Sequence, residues 1–124
     1  MDDLNQLTEA AIGAAYEVQN VLGPGFLEKV YERALQRELA SRGLSVLTQA
    51  PVSVLYKGHC VGEYLADLLL EDQLIIEVKC VEHLSNEHLA PTLNYLKATG
   101  SKLALLINFK HAKVQIKRVI LTSA

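Results

Sequence analysis

The chain has 124 residues, half of them hydrophobic and 21% charged, with a net charge of −2. This length and apolar content suit one packed domain spanning 1–124, while the acidic balance excludes the strongly basic domain that coats DNA without sequence preference. No apolar run reaches the roughly 18 residues that span a bilayer, and the acidic start Met1-Asp2-Asp3-Leu4 lacks the basic and apolar segments of a signal peptide, so the expected location is the cytoplasm, with no membrane partner.

Leu4, Leu7, Ala11, Ala14, Ala15, Val18 and Leu22 recur at helical spacing and predict a first helix over 4–22. Gly23-Pro24-Gly25 stops it and turns the chain. A second helix is expected over 26–42. Its apolar stripe is Phe26, Leu27, Val30, Tyr31, Ala34, Leu35 and Leu39, and Gly43 terminates it. A short strand over 44–49 and another from Val52 to Lys57 follow, with Pro51 where a strand tolerates proline. Lys57-Gly58-His59-Cys60 reads as a turn. Strands over 61–70 and 74–80 come next, joined by Glu71-Asp72-Gln73. A helix over 86–99 has Ser85 as its expected N-cap. Pro91 is expected to kink that helix or to mark its true first turn. Leu103 to Asn108 reads as a strand buried on both faces, and Val114 to Leu121 as the last strand. A three-stranded meander, a crossover helix and further strands predict an α/β sandwich with a central mixed sheet flanked by helices.

Three charged residues interrupt the apolar strands: Asp67 in Ala66-Asp67-Leu68, then Glu77 and Lys79 in Leu74-Ile75-Ile76-Glu77-Val78-Lys79-Cys80. With the turn at 71–73, Leu70 pairs with Leu74, and Asp67 falls opposite Glu77. Lys79, two residues on, shares the face of Glu77. Ala66, Leu68, Leu70, Leu74, Ile76, Val78 and Cys80 line the other face, which reads as core. Two adjacent carboxylates repel and lose hydration, and a divalent cation with a taste for hard oxygen ligands, Mg²⁺ or Mn²⁺, relieves both costs. The alternative is a hairpin with an ion pair from Lys79 to Glu77 or Asp67 on a solvated face.

Asp67…Glu77-x-Lys79 resembles the active site of the PD-(D/E)XK nuclease superfamily, an Asp on one strand and (Asp/Glu)-x-Lys on the next. Gly25-Phe26-Leu27-Glu28-Lys29-Val30-Tyr31 is similar to the signature of the bacterial GxxExxY proteins, a group placed in that superfamily. Tyr56-Lys57-Gly58, Asn94-Tyr95-Leu96-Lys97-Ala98-Thr99-Gly100 and Leu106-Ile107-Asn108-Phe109 extend the likeness from about Leu4 to Ile120. The resemblance implies a restriction-endonuclease-like fold and a metal-dependent nuclease acting on DNA, with RNA second. It implies Mg²⁺ or Mn²⁺ held by Asp67, Glu77 and the backbone carbonyl of Val78. Lys79 would act on the attacking water or the phosphate, and Glu28 would support the metal from the helix. A homodimer is the expected assembly. One departure stands out: the family Gln on the helix after the catalytic strand falls at Pro91 here, with Asn94 or His88 as replacements. The competing function is a non-catalytic nucleic-acid- or protein-binding module of the same fold.

Other residues carry simpler readings. Tyr31 is expected to pack, its hydroxyl meeting Glu28 or Lys79. Cys60 and Cys80 read as reduced, buried thiols. His59, His83, His88 and His111 lack metal-ligand spacing, so no zinc site is expected. Lys97, Lys102, Lys110, His111, Lys113, Lys117 and Arg118 make the C-terminal end basic, which suits either a phosphate backbone or a guarded strand edge.

Overall fold

The computed structural model describes residues 3–121; of the predicted 1–124 domain, residues 1–2 and 122–124 lie outside the described residues. The order is α1 (Asp3–Leu22), α2 (Glu28–Ser41), β1 (Val46–Tyr56), β2 (His59–Leu70), β3 (Leu74–Lys79), α3 (Asn86–Thr99), β4 (Leu103–Asn108) and β5 (Gln115–Ile120). The five strands form one mixed sheet in chain order. β1, β2 and β3 make an antiparallel meander, β4 lies parallel to β3 after the α3 crossover, and β5 returns antiparallel. This is the expected α/β sandwich of the restriction-endonuclease-like type.

The helices take opposite faces of the sheet. α1 and α2 cover one, where Ala11, Ala14, Ala15, Leu35 and Leu39 pack on Leu68, Leu70, Leu74, Ile76, Val78 and Leu105. The buried alanines have no bulk to hold α1 off its neighbours. α3 covers the other face through Tyr95 and Leu96, which meet Ala50, Val52, Ile75, Ala104 and Leu106. All six residues of β4 are buried, which explains its unbroken apolar sequence.

Some boundaries, and one reading of Pro91, differ from the periodicity. The two short strands expected over 44–57 are one strand. Pro51 is tolerated in it because β1 is a sheet edge. Lys57 and Gly58 alone make the hairpin turn, both at positive φ (49° and 85°), so β2 resumes at once with His59. α2 starts at Glu28, which leaves Phe26 and Leu27 outside it, 48% and 79% exposed. Those two residues belong to a loop, not to the apolar stripe. Gly25 sits at φ 112°, open only to glycine, and turns the chain there. α3 begins at Asn86 and runs through Pro91, so the proline does not mark its first turn.

One core assignment is corrected. Ala66 does not pack with Leu68 and Leu70 on the α1–α2 side; it joins the α3 core with Ala50 and Ile75. The change of side falls between the paired positions Thr48–Leu68 and Ala50–Ala66. There Gln49 takes a left-handed φ of 49°, which breaks the alternation of a strand. Beyond this point the β1–β2 hairpin turns toward α3, and residues 59–65 are exposed, so Cys60 is an exposed free thiol and Cys80 a half-buried one, not the two buried thiols expected.

Candidate active site

The site lies where β2 and β3 part. Their ladder runs Leu70–Leu74, Leu69–Ile75 and Leu68–Ile76, and stops. The next pair in register is Asp67 and Glu77, and here side chains replace the backbone ladder. The Asp67 backbone N–H donates to Glu77 Oε2 at 2.8 Å, and the Val78 N–H donates to Asp67 Oδ2 at 2.8 Å. Each carboxylate thus spans the fork and satisfies an amide that a continued sheet would have paired. Asp67 Oδ1 and Glu77 Oε1 have no protein donor among the described residues. The N–H and C=O of one strand residue point the same way, so the Val78 carbonyl also faces the fork.

The electrostatics are strained. Burial, then the neighbouring Asp67, pushes Glu77 up from 4.5 to about 7, against the pull of the Asp67 amide and of Lys79. Burial also raises Asp67, with Glu32 and Glu28 adding to the rise and the Val78 amide and Lys79 opposing it. Lys79, half-buried at the end of β3, therefore lies within the field of both carboxylates. Among the described residues it forms no ion pair with either, so the hairpin lacks the ion pair of the alternative reading.

Two helices close the fork. Glu28 opens α2, and its Oε2 accepts from the Cys80 N–H at 3.2 Å, tying the helix to the end of β3. One turn on, Glu32 is only 5% exposed and accepts from Lys29 at 3.0 Å and Gln49 at 3.0 Å. Sequence reasoning passed over Glu32, yet its spacing of four from Glu28 and three from Leu35 puts it on the inward face. From α3 comes Tyr95, 8% exposed and edge-on to Tyr64 at 4.7 Å. Burial first, then the negative field of Glu77, lifts its hydroxyl to about 12, so it stays protonated and able to donate.

The residues expected to replace the missing Gln are engaged elsewhere. His88 Nδ1 accepts from the Ser85 N–H at 3.0 Å and caps α3, and Asn94 lines an exposed groove against Val54 and Tyr64. Tyr31 also differs from expectation. Its hydroxyl donates to the Gly23 carbonyl at 2.6 Å and accepts from the Phe26 N–H at 3.2 Å, so it pins the loop before α2 rather than meeting Glu28 or Lys79. Asn108, fully buried at the end of β4, bonds both the N–H and the carbonyl of Val81 at 3.0 and 2.8 Å. It holds the chain just past Lys79. A buried Asn in an apolar strand was the sequence signal for that clamp.

The donor set suits a divalent cation. Among the described residues no three His, Cys, Asp or Glu side chains converge to hold an ion by themselves. Two carboxylates and a carbonyl nevertheless match the habit of Mg²⁺, which binds one or two carboxylates and keeps water or phosphate in its other positions. A cation would also relieve the repulsion that raises Glu77.

A family model described as the PD-(D/E)XK nuclease superfamily matches residues 5–119. The chain belongs to that superfamily, whose members are nucleases acting on nucleic acid and generally using divalent metal ions. No curated protein and no solved structure matches it. Among the described residues no helix is long and apolar enough to cross a membrane.

Proposed function

We propose, for this member of the PD-(D/E)XK nuclease superfamily, the hydrolysis of phosphodiester bonds in DNA, with RNA as the second substrate and Mg²⁺ or Mn²⁺ as the cation. The observation that supports this most is the reciprocal bonding of Asp67 and Glu77 across the opened fork. One oxygen of each carboxylate is bonded to the fold, and the other has no protein donor among the described residues. Asp67, Glu77 and the Val78 carbonyl would hold the cation. When bound, it polarises the scissile phosphate and acidifies a coordinated water.

The chain supplies the rest. Lys79, which forms no ion pair among the described residues, orients the attacking water or stabilises charge developing on the phosphate. Glu28 supports the cation site from the helix while fixing Cys80. Placement in the GxxExxY group, a cytoplasmic location and a homodimer belong to the same proposal.

Isothermal titration of Mn²⁺ into wild type and Asp67→Ala, with and without DNA, tests it, followed by cleavage of labelled DNA. Binding and cleavage by wild type alone are expected. A non-catalytic module of the same fold is favoured by one observation, the lack of three convergent ligand side chains among the described residues. Absence of Mn²⁺ binding under both conditions would decide for it.

A further inference from the structure

Beside the carboxylate fork, the loop before α2 and the end of β4 enclose a cavity of about 370 Å³. Phe26, Leu27 and Phe109 form its apolar side, and Glu28, Cys80 and Lys110 its polar side. Its size is that of a small-ligand pocket, not of an open groove for a duplex. It lies at the carboxyl ends of the parallel pair β3–β4, where open α/β sheets bind ligands. It adjoins the fork: its lining residue Cys80 follows Lys79 in the chain, and its lining residue Glu28 bonds the Cys80 amide and acts electrostatically on Asp67.

We propose that this cavity takes an unpaired nucleotide next to the scissile phosphate, with Phe26 stacking on the base and Lys110 contacting a phosphate. The proposal rests on the nuclease reading of Asp67, Glu77 and Lys79, and it narrows the substrate to nucleic acid with an unpaired nucleotide. Phe26 is 48% exposed although aromatic, and its one ring neighbour among the described residues, Tyr31, meets it edge-on at 6.1 Å and 76°. The loop that carries it is fixed by the Tyr31 hydroxyl at Gly23 and Phe26, and Tyr31 is itself stacked on Phe109 at 4.8 Å. The ring is therefore presented on a rigid support, as a stacking platform requires.

Charge favours an unpaired nucleotide over a duplex. A duplex footprint needs many cations, and this chain has a net charge of −2 and one lysine in the cavity. Stacking of an unpaired base on an aromatic ring adds to the phosphate contacts a term that a base held in a duplex does not offer. Lys110 has a 3.8 Å contact with Glu82, both exposed. Such a pair holds it weakly and leaves it free to turn to a phosphate.

The test is fluorescence anisotropy with labelled oligothymidine, oligouridine and a blunt duplex, in a Glu77→Gln background with EDTA present so that cleavage does not intervene. Phe26→Ala should weaken binding of at least one single strand by about tenfold and leave the duplex within about twofold. Phe26→Leu keeps the apolar volume without the aromatic ring, so it should lose the same binding and guards against misfolding. Lys110→Gln should lower the salt slope of single-strand binding by about one. Which single strand responds separates DNA from RNA, and either response supports the pocket. Unchanged single-strand binding in Phe26→Leu and Lys110→Gln, or an equal loss on the duplex, would overturn it. The measurement needs neither metal nor turnover. A wild type that binds no Mn²⁺ and cleaves nothing would sink the nuclease reading separately.

Discussion

Strand β3 meets two neighbours on different terms. Toward β4 its parallel ladder runs from Ile75–Ala104 to Lys79–Asn108, and every residue of that partner strand is buried. Toward β2 the pairing ends at Leu68–Ile76, and Asp67 and Glu77 take over the bonding with their carboxylates. One edge of the strand is built for stability. The other gives up backbone pairing and tolerates a raised Glu77, and chemistry needs polar groups held in such an opening. Perturbed titration in a cleft is a common mark of function.

The largest test of this contrast is at the open edge. Lys79→Ala and Glu77→Gln should each lower DNA cleavage by about 10²- to 10⁴-fold, with circular dichroism unchanged. Cleavage at the wild-type rate would remove the open edge from the chemistry. The closed edge should behave in the opposite way. Leu105→Ala should cost about 2–5 kcal/mol in urea unfolding, while Mn²⁺ affinity of the folded fraction stays the same. A stable Leu105→Ala protein would mean that the β4 side is not the structural one.

Proton linkage sharpens the contrast further. Glu77 is raised from 4.5 to about 7 in the folded chain, so between those values the folded state binds the extra proton. Its contribution to stability is therefore fully present below about 4.5 and is lost as pH rises through about 7. In EDTA, the melting temperature of wild type relative to Glu77→Gln should fall across that window, and saturating Mn²⁺ should cancel the fall above it. A constant difference between the two proteins would contradict the strain assigned to the fork. The smallest effect is expected from Glu32→Gln. Removing a charge that raises both Asp67 and Glu77 should move the pH profile of Mn²⁺ binding to lower pH by a fraction of a unit. A shift to higher pH would mean that Glu32 acts through its hydrogen bonds to Lys29 and Gln49 and not through its charge.

Local pattern made much of this molecule legible. The spacing of Leu7, Ala11, Ala14 and Val18 foretold α1, and the apolar run Leu103–Asn108 foretold a strand buried on both faces. The polar turn at 71–73 put Leu70 against Leu74 and brought Asp67 to Glu77. These features depend on neighbours in sequence, through helical period, strand alternation and turn chemistry. What tertiary structure alone decided depends on partners far away in the chain. The ladder stops at Leu68 because the β1–β2 hairpin bends at Gln49, and that bend sends Ala66 to the opposite core. Glu32 becomes part of the acidic cluster only because α2 docks over the fork, and Tyr95 only because the crossover helix returns on the other face. Phe26 looked like one more residue of an apolar stripe. It lies exposed beside the site because Tyr31 reaches back to Gly23 and holds the loop outside the helix, a hydrogen bond that no periodicity encodes.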